Sequence, residues 1–322
     1  MRGALGFSFW RNALALAFAC LVAATLALRA IHNDYAYFVS YVIFQYGALA
    51  IAWNILGGYA GYANFGAGAF FAAGAYATVA LDKALGLPLI ACLGAAGFVG
   101  GALGLLMGAL TLRLRGVYFS ISTLSLSVVL QTMVLNWSYV GGSGGAYLLR
   151  PKSIPPFASY SEFLCLLMLA IAVAAAIVAA AIERSSIGLG LTTIRDDEIA
   201  SEALGVPTLR LKLAAATISG AIMSVAGAPL PYYNSYINPE SAFALGYTIN
   251  AMAMPLVGGM QNWLGPVIGA LLLGSAQQLA VAFISSAASS LLVGAIFMAF
   301  VAVAPRGLLG LVSGDARGGA NS

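Results

Sequence analysis

The 322-residue chain is 61% hydrophobic and only 7% charged, with a mean hydropathy of +0.95, against roughly 25% charged residues in a soluble globular domain. Fourteen basic and ten acidic side chains cannot coat a water-soluble fold of this length, whereas a bilayer accepts an apolar exterior. The formal charge of +4 then belongs to loop topology and not to nucleic acid, and the apolar runs exceed the roughly ten residues of barrel strands, which leaves helices.

Ten stretches approach the length needed to cross a hydrocarbon core of roughly 30 Å: residues 13–28, 35–56, 67–81, 88–112, 117–137, 163–182, 213–232, 241–257, 266–283 and 286–304. The expected fold is all-α, a polytopic transmembrane helical bundle of about ten spans (eight to ten), forming a single transmembrane domain over residues 1–322. Arg2 and Arg11 before the first stretch allow a signal peptide, but Arg29 and His32 follow without a small-x-small cleavage site, so an anchor helix is the better reading. The third stretch is short and rich in Gly and Ala, and a half-span or re-entrant element there is the alternative that changes the count. The 38 glycines, about 12% of the chain, predict close helix packing.

With the N-terminus in the cytoplasm, ten spans put ten of the fourteen basic residues inside, including Arg113, Arg115, Arg184, Arg195, Arg210 and Lys212. Only Arg29, Lys83, Arg150 and Lys152 fall outside, the bias expected of a positive-inside topology with both termini cytoplasmic. Two polar segments are long. Residues 138–162, with GGSGG at 141–145 and Pro151, Pro155 and Pro156, read as an external loop of turns and extended chain. Residues 183–212 form a cytoplasmic loop that holds half of the acidic residues: Glu183, Asp196, Asp197, Glu198 and Glu202.

No charged residue falls inside the ten stretches, so the chain offers no intramembrane proton relay of the kind ion-coupled carriers and pumps use. His32 is the only histidine and lies at a membrane edge, and Cys20, Cys92 and Cys165 sit singly in apolar runs, so no metal site or base-assisted nucleophile can be assembled. The lysines at 83, 152 and 212 follow Asp82, Pro151 and Leu211, which excludes a P-loop. Uncharged polar groups remain. Ser120, Thr123, Ser127 and Gln131 share one helical face and either line a hydrated path or bond neighbouring helices. Asn54, Asn250, Gln277 and Gln278 carry the same two readings, although the last two, being adjacent, cannot share a face.

Within the cytoplasmic loop, Asp196 or Asp197 can cap a helix with Glu198 in its first turn, and Gly205 and Pro207 stop it after about two turns. Ile199, Ala203 and Leu204 lie at helical spacing, and Glu198 and Glu202 form an i, i+4 acidic face. Such a helix serves either as a connector or as a dock for another protein.

From residue 35 to 312 the chain resembles the inner-membrane permeases of branched-chain amino-acid ABC importers, of the LivM type. The segments that carry the resemblance include NILGGYAGYANFGAGAFFAAGAYATVAL at 54–81, LRLRGVYFSISTLS at 112–125, IRDDEIASEALGVPTLRLKLAAATISGAIMSVAGA at 194–228, LVGGMQNWLGPVIGALLLG at 256–274 and PRGLLGLV at 305–312. Glu202, Ala203 and Gly205 hold the E-A-x-G positions of the family's EAA-type segment. Similar permeases commonly read GYAGxLSLGHAAFFGIGAY where Ala67 here replaces the His and Ala63, Asn64 and Gly68 also depart, which leaves urea, short amides and other small organic acids as alternative solutes.

The resemblance implies a bacterial inner-membrane, non-enzymatic subunit that binds no cofactor itself. ATP and Mg sit on two separate ABC ATPase subunits, a LivH-type second permease completes the membrane part, and a periplasmic or lipid-anchored solute-binding protein delivers the solute. It also implies coupling to the ATPases through Arg195, Asp196, Asp197, Glu198, Glu202, Ala203 and Gly205, while Ser120, Thr123, Ser127, Gln131, Asn54 and Asn250 are, from their uncharged polarity within the stretches, the candidates for the path. The rival classes are an ion-coupled secondary transporter, which predicts titratable groups in the spans, and a scaffolding membrane subunit, which predicts no solute flux. The segments 55–69 and 256–270 echo one another, each with an apolar-Gly-Gly start and a small-residue close.

Overall fold

The computed structural model describes residues 34–150, 157, 159–283 and a few isolated positions beyond. The first stretch, residues 151–156, nearly all of the last stretch, Cys20 and His32 lie outside the described residues. The described residues are mostly helical, with one short strand pair. We number α1 (Asp34–Gly57), α2 (Ala67–Leu85), α3 (Leu89–Thr111), α4 (Val117–Leu135), α5 (Tyr160–Glu183), α6 (Ser186–Asp196), α7 (Glu198–Ala203), α8 (Thr208–Gly227), α9 (Leu230–Asn234), α10 (Pro239–Ala242), α11 (Leu245–Gly258) and α12 (Leu264–Phe283).

Six described helices are long and apolar enough to cross a membrane: Tyr35–Gly57, Leu89–Thr111, Val117–Leu135, Tyr160–Glu183, Thr208–Asn234 and Leu264–Phe283. The other two expected stretches differ in instructive ways. α2 is one continuous helix of 19 residues, about 28 Å at 1.5 Å per residue, whose last turn carries Asp82 and Lys83. The stretch at 241–257 is broken at Phe243 and Ala244 into α10 and α11, and the 14 residues of α11 rise only about 21 Å, less than a span.

Helix ends also extend past the apolar runs. α8 begins five residues before the expected start and takes in Arg210 and Lys212, while α5 includes a buried Glu162 beside its capping Ser159. The expectation that the spans are free of charge therefore fails at their ends, because a helix continues wherever its polar side chains find partners.

Backbone-to-backbone contacts set the packing. A Cβ at Gly74 of α2 would collide with the Ser224 carbonyl of α8, one at Gly100 or Gly104 of α3 with the Gly220 or Ala216 carbonyl of α8, and one at Gly227 with the Phe71 carbonyl. α2, α3 and α8 thus form one close-packed block. α11 and α12 form a second, with Gly258 against the Gly265 carbonyl and Gly269 against that of Met254. α1 runs between them, and its residues from Ala48 to Leu56 are all buried.

The two ends of the bundle are distinct. At one end the segment from Ala146 to Tyr147 pairs antiparallel with Tyr236 and Ile237, Tyr232 donates to Asp82 at 2.8 Å, and Arg150 donates to the Tyr232 carbonyl. Residues 138–147 of the long 138–162 loop belong here as turns and short extended chain, whereas its last residues, 160–162, already form the first turn of α5. At the opposite end the 58–66 loop, the 112–116 turn, α6, α7 and the 259–263 turn come together. The two echo segments meet at that end, where Asn54 donates to the Asn262 carbonyl at 3.4 Å, while Tyr59 (3.2 Å) and the Trp263 backbone N–H (2.8 Å) both donate to Glu183.

Candidate functional site

The 183–212 loop folds as two helices and not one. Ser185 caps α6 by accepting the Gly188 N–H, and Asp197 caps α7 by accepting the Ala200 N–H at 3.0 Å, so Asp197, and not Asp196, is the cap. Gly205 sits at φ +83° with its N–H on the Glu202 carbonyl, and its surroundings are open, so glycine serves the left-handed turn and not a close approach. α6 had no sequence signal beyond Ser185, since its Gly and β-branched residues read as loop.

α7 faces outward with its apolar side. Ile199 is 66% exposed and Leu204 85%, and Ala203 and Leu189 are exposed beside them. The charged side is turned in. Glu198 accepts from Lys212 at 2.7 Å and from Tyr62 at 2.5 Å, and Lys212, 3% exposed, also donates to the Tyr62 hydroxyl and to the Leu112 carbonyl, each at 3.0 Å. Glu202 stays half exposed, accepting from Thr208 at 2.7 Å with Arg115 at 3.6 Å. Glu198 and Glu202 therefore do not act as one outward acidic face. Arg195 donates to the Gly58 carbonyl at 3.3 Å and lies against Gly61, while Asp196 remains in solvent.

Burial alone would raise the Glu198 carboxyl, but the hydrogen bonds from Lys212 and Tyr62 and the Lys212 and Arg115 charges outweigh it and hold it below its ordinary value. The Tyr62 hydroxyl is pushed well up, first by burial and then by the Glu198 carboxylate it donates to.

The polar stripe of α4 divides. Ser120 donates to the Ala63 carbonyl at 2.9 Å, and Thr123 accepts the Phe65 N–H at 3.0 Å, so its first half holds the 58–66 loop. Ser127 lines a recess between α2, α3 and α4 together with Gly66, Phe70 and Met107, and Gln131 lies half-buried one turn further on. Asn250 accepts from Gln277 and ties α11 to α12, and Asn54 is buried at the meeting of the echo segments.

Sequence reasoning missed the role of Thr248. At the start of α11 it accepts the Gly68 N–H at 2.9 Å and donates to the Phe65 carbonyl at 3.3 Å, joining the first turns of α2 and α11. In the sequence Lys212 reads only as a loop charge. Its signal was present, because Thr208, Lys212, Ala215, Ser219 and Met223 follow one another at helical spacing on the buried side of α8.

Comparison with known proteins settles the lineage. The family described as "Branched-chain amino acid transport system / permease component" matches residues 35–301. The chain belongs to that family. It is 29% identical over 305 residues to the high-affinity branched-chain amino acid transport system permease protein LivM of Salmonella typhimurium, covering 85% of this chain and 71% of that one. LivM of Escherichia coli K12 is 29% identical over 82% of this chain and 67% of its own. LivH of Salmonella typhimurium is 25% identical over 82% of this chain and 91% of its own. No solved structure matches. The protein is accordingly a multi-pass membrane permease, and the relatives are transport subunits of the LivM and LivH kinds.

Proposed function

We infer that this permease is one of two membrane subunits of an ATP-binding-cassette importer for branched-chain or other small amino acids, received from a periplasmic or lipid-anchored solute-binding protein. The observation that carries the reading is the inverted surface of α7 and its C-cap, where Ile199 and Leu204 are exposed while Glu198 points into the protein. A short helix in an aqueous loop that exposes its apolar side is suited to a partner's groove. Two ABC ATPase subunits supply that groove and hold ATP and Mg, and the segment from Arg195 to Gly205 is the coupling element. The EAA-type positions Glu202, Ala203 and Gly205 support the same assignment.

The occurrence of both LivM-named and LivH-named relatives supports a second, LivH-type permease as the other half of the membrane part. The loop end then faces the cytoplasm of a bacterium with the protein in its inner membrane and both termini inside, and the end bearing the strand pair faces the binding protein. Closure of the ATPases shifts packed helices as rigid bodies and switches access. Ser127 and Gln131 of α4 are the stripe residues best placed to touch the solute, and a zwitterion can be met there by dipoles and helix ends. Ser120, Thr123, Asn54 and Asn250 shape the path by fixing the helices around it. Urea, short amides and small organic acids are the solutes to try if amino acids do not move.

Burying a Leu or Ile side chain contributes about 1.5–3 kcal/mol. Ile199→Asp or Leu204→Asp is expected to cut co-purification of the ATPase subunits by about tenfold or more at unchanged membrane insertion. Undiminished co-purification with transport retained contradicts the coupling role of α7.

A further inference from the structure

We propose that Lys212, Glu198 and Tyr62 form the joint that passes displacement of α7 into the helix bundle, an inference that rests on the importer reading above.

The ammonium of Lys212 has three donors, and three acceptors take them: Glu198 at 2.7 Å, the Tyr62 hydroxyl at 3.0 Å and the Leu112 carbonyl at 3.0 Å. Each acceptor lies on a different segment, namely α7, the 58–66 loop and the end of α3. Tyr62 closes the triangle by donating to the second oxygen of Glu198, and its ring lies under the ammonium, 4.7 Å from the nitrogen. Arg115 from the 112–116 turn adds a second charge, 3.6 Å from both Glu198 and Glu202. Four separate segments are thus tied within one buried cluster at the root of the loop.

The position of this cluster distinguishes it from an ordinary anchor. α7 is only six residues long and is capped at its start by Asp197, so it has no slack in which to absorb a push. Lys212 belongs to α8, which the Gly74, Gly100, Gly104 and Gly227 contacts lock to α2 and α3. Tyr62 belongs to the loop that continues to Phe65, whose N–H is held by Thr123 of α4, and whose carbonyl is held by Thr248 of α11. Displacement entering at Glu198 is therefore split into two outputs, one to the α2–α3–α8 block through Lys212, the other to α4 and α11 through Tyr62. Glu198 is a positioning residue inside the permease on this reading, and the outward Ile199 and Leu204 are the groups the ATPases push.

The test uses the full complex in proteoliposomes with the binding protein outside, comparing wild type, Lys212→Met, Glu198→Gln and Tyr62→Phe. Three quantities are read: ATPase subunits retained, the factor by which binding protein stimulates ATP hydrolysis, and leucine taken up per ATP hydrolysed. The expected result for Lys212→Met and Glu198→Gln is full retention of the ATPases with uptake per ATP and stimulation reduced about tenfold or more, and for Tyr62→Phe a smaller loss in the same two readouts.

A single variant that leaves a charge buried alone risks misfolding, so the double variant Lys212→Met with Glu198→Leu removes both charges and is expected to be as uncoupled as the singles. Unchanged uptake per ATP in that assembled double variant overturns the joint. Loss of the ATPase subunits in proportion to lost uptake also overturns it, because Glu198 is then a docking contact. If wild type shows no ATP-dependent uptake of leucine, urea or short amides, the importer reading fails and the joint falls with it.

Discussion

Lys212 illustrates what a single charged residue can do at a membrane edge. Its burial is tolerable only because Glu198, Tyr62 and the Leu112 carbonyl satisfy every donor, and removing one member of such a pair costs on the order of 3–5 kcal/mol. The pair also sets a pH response. The Glu198 carboxyl is held below its ordinary value of 4.5 in the folded protein, so its contribution is fully present above that value and is lost as pH falls through the lower, folded value. The groups that face it, Lys212, Tyr62 and Arg115, all favour the carboxylate. The thermal midpoint of the purified permease in detergent is expected to lose this contribution only below about pH 4.5, and the wild-type excess over Glu198→Gln to shrink over that same interval. A difference that is constant from pH 7 to pH 3 contradicts the assignment. A cap at Asp196 or Asp197 and a stop at Gly205 are legible because capping chemistry is local, and the structure selects Asp197. The inward turn of Glu198 was not, since on a six-residue helix spacing shows which residues share a side but not which side meets the bundle.

At the scale of elements, hydropathy located every long helix among the described residues to within a few positions, but it misplaced boundaries wherever polar groups are satisfied internally. α8 starts at Thr208 because Lys212 and Arg210 ride on a helix whose inner side is already committed to the bundle. The break before α11 is invisible in the continuous apolar run at 241–257. It is held by tertiary bonds from Thr248 to Gly68 and Phe65, whose partners lie some 180 positions away in the chain. The close-packed block yields a sharp contrast between glycines. Gly74→Ala places a methyl group on the Ser224 carbonyl and must part α2 from α8, whereas Gly94 on α3 faces open space. Overpacking of this kind typically costs about 1–3 kcal/mol. Gly74→Ala is expected to lower the thermal midpoint and the yield of monodisperse protein, while Gly94→Ala leaves both unchanged. Equal effects from the two substitutions contradict the packing described.

For the whole molecule, composition excluded a soluble fold, and the segments from 54–81 to 256–274 pointed to the permease family that the comparisons confirm. The block formed by α2, α3 and α8 could not be read in advance. Small residues recur throughout the chain, and only coordinates show which of them face one another. The same holds for the two ends of the bundle: charge bias sorts loops into two sets, but the meeting of the 58–66 loop with the 259–263 turn needs the fold. The central claim is that this permease couples ATP hydrolysis on other subunits to solute entry. It is tested most directly by uptake of radiolabelled leucine into proteoliposomes holding this chain, its partner permease and the ATPase subunits, with ATP enclosed and binding protein outside. The account predicts saturable uptake that requires both ATP and the binding protein. Uptake that proceeds without ATP and follows an imposed ion gradient would contradict it.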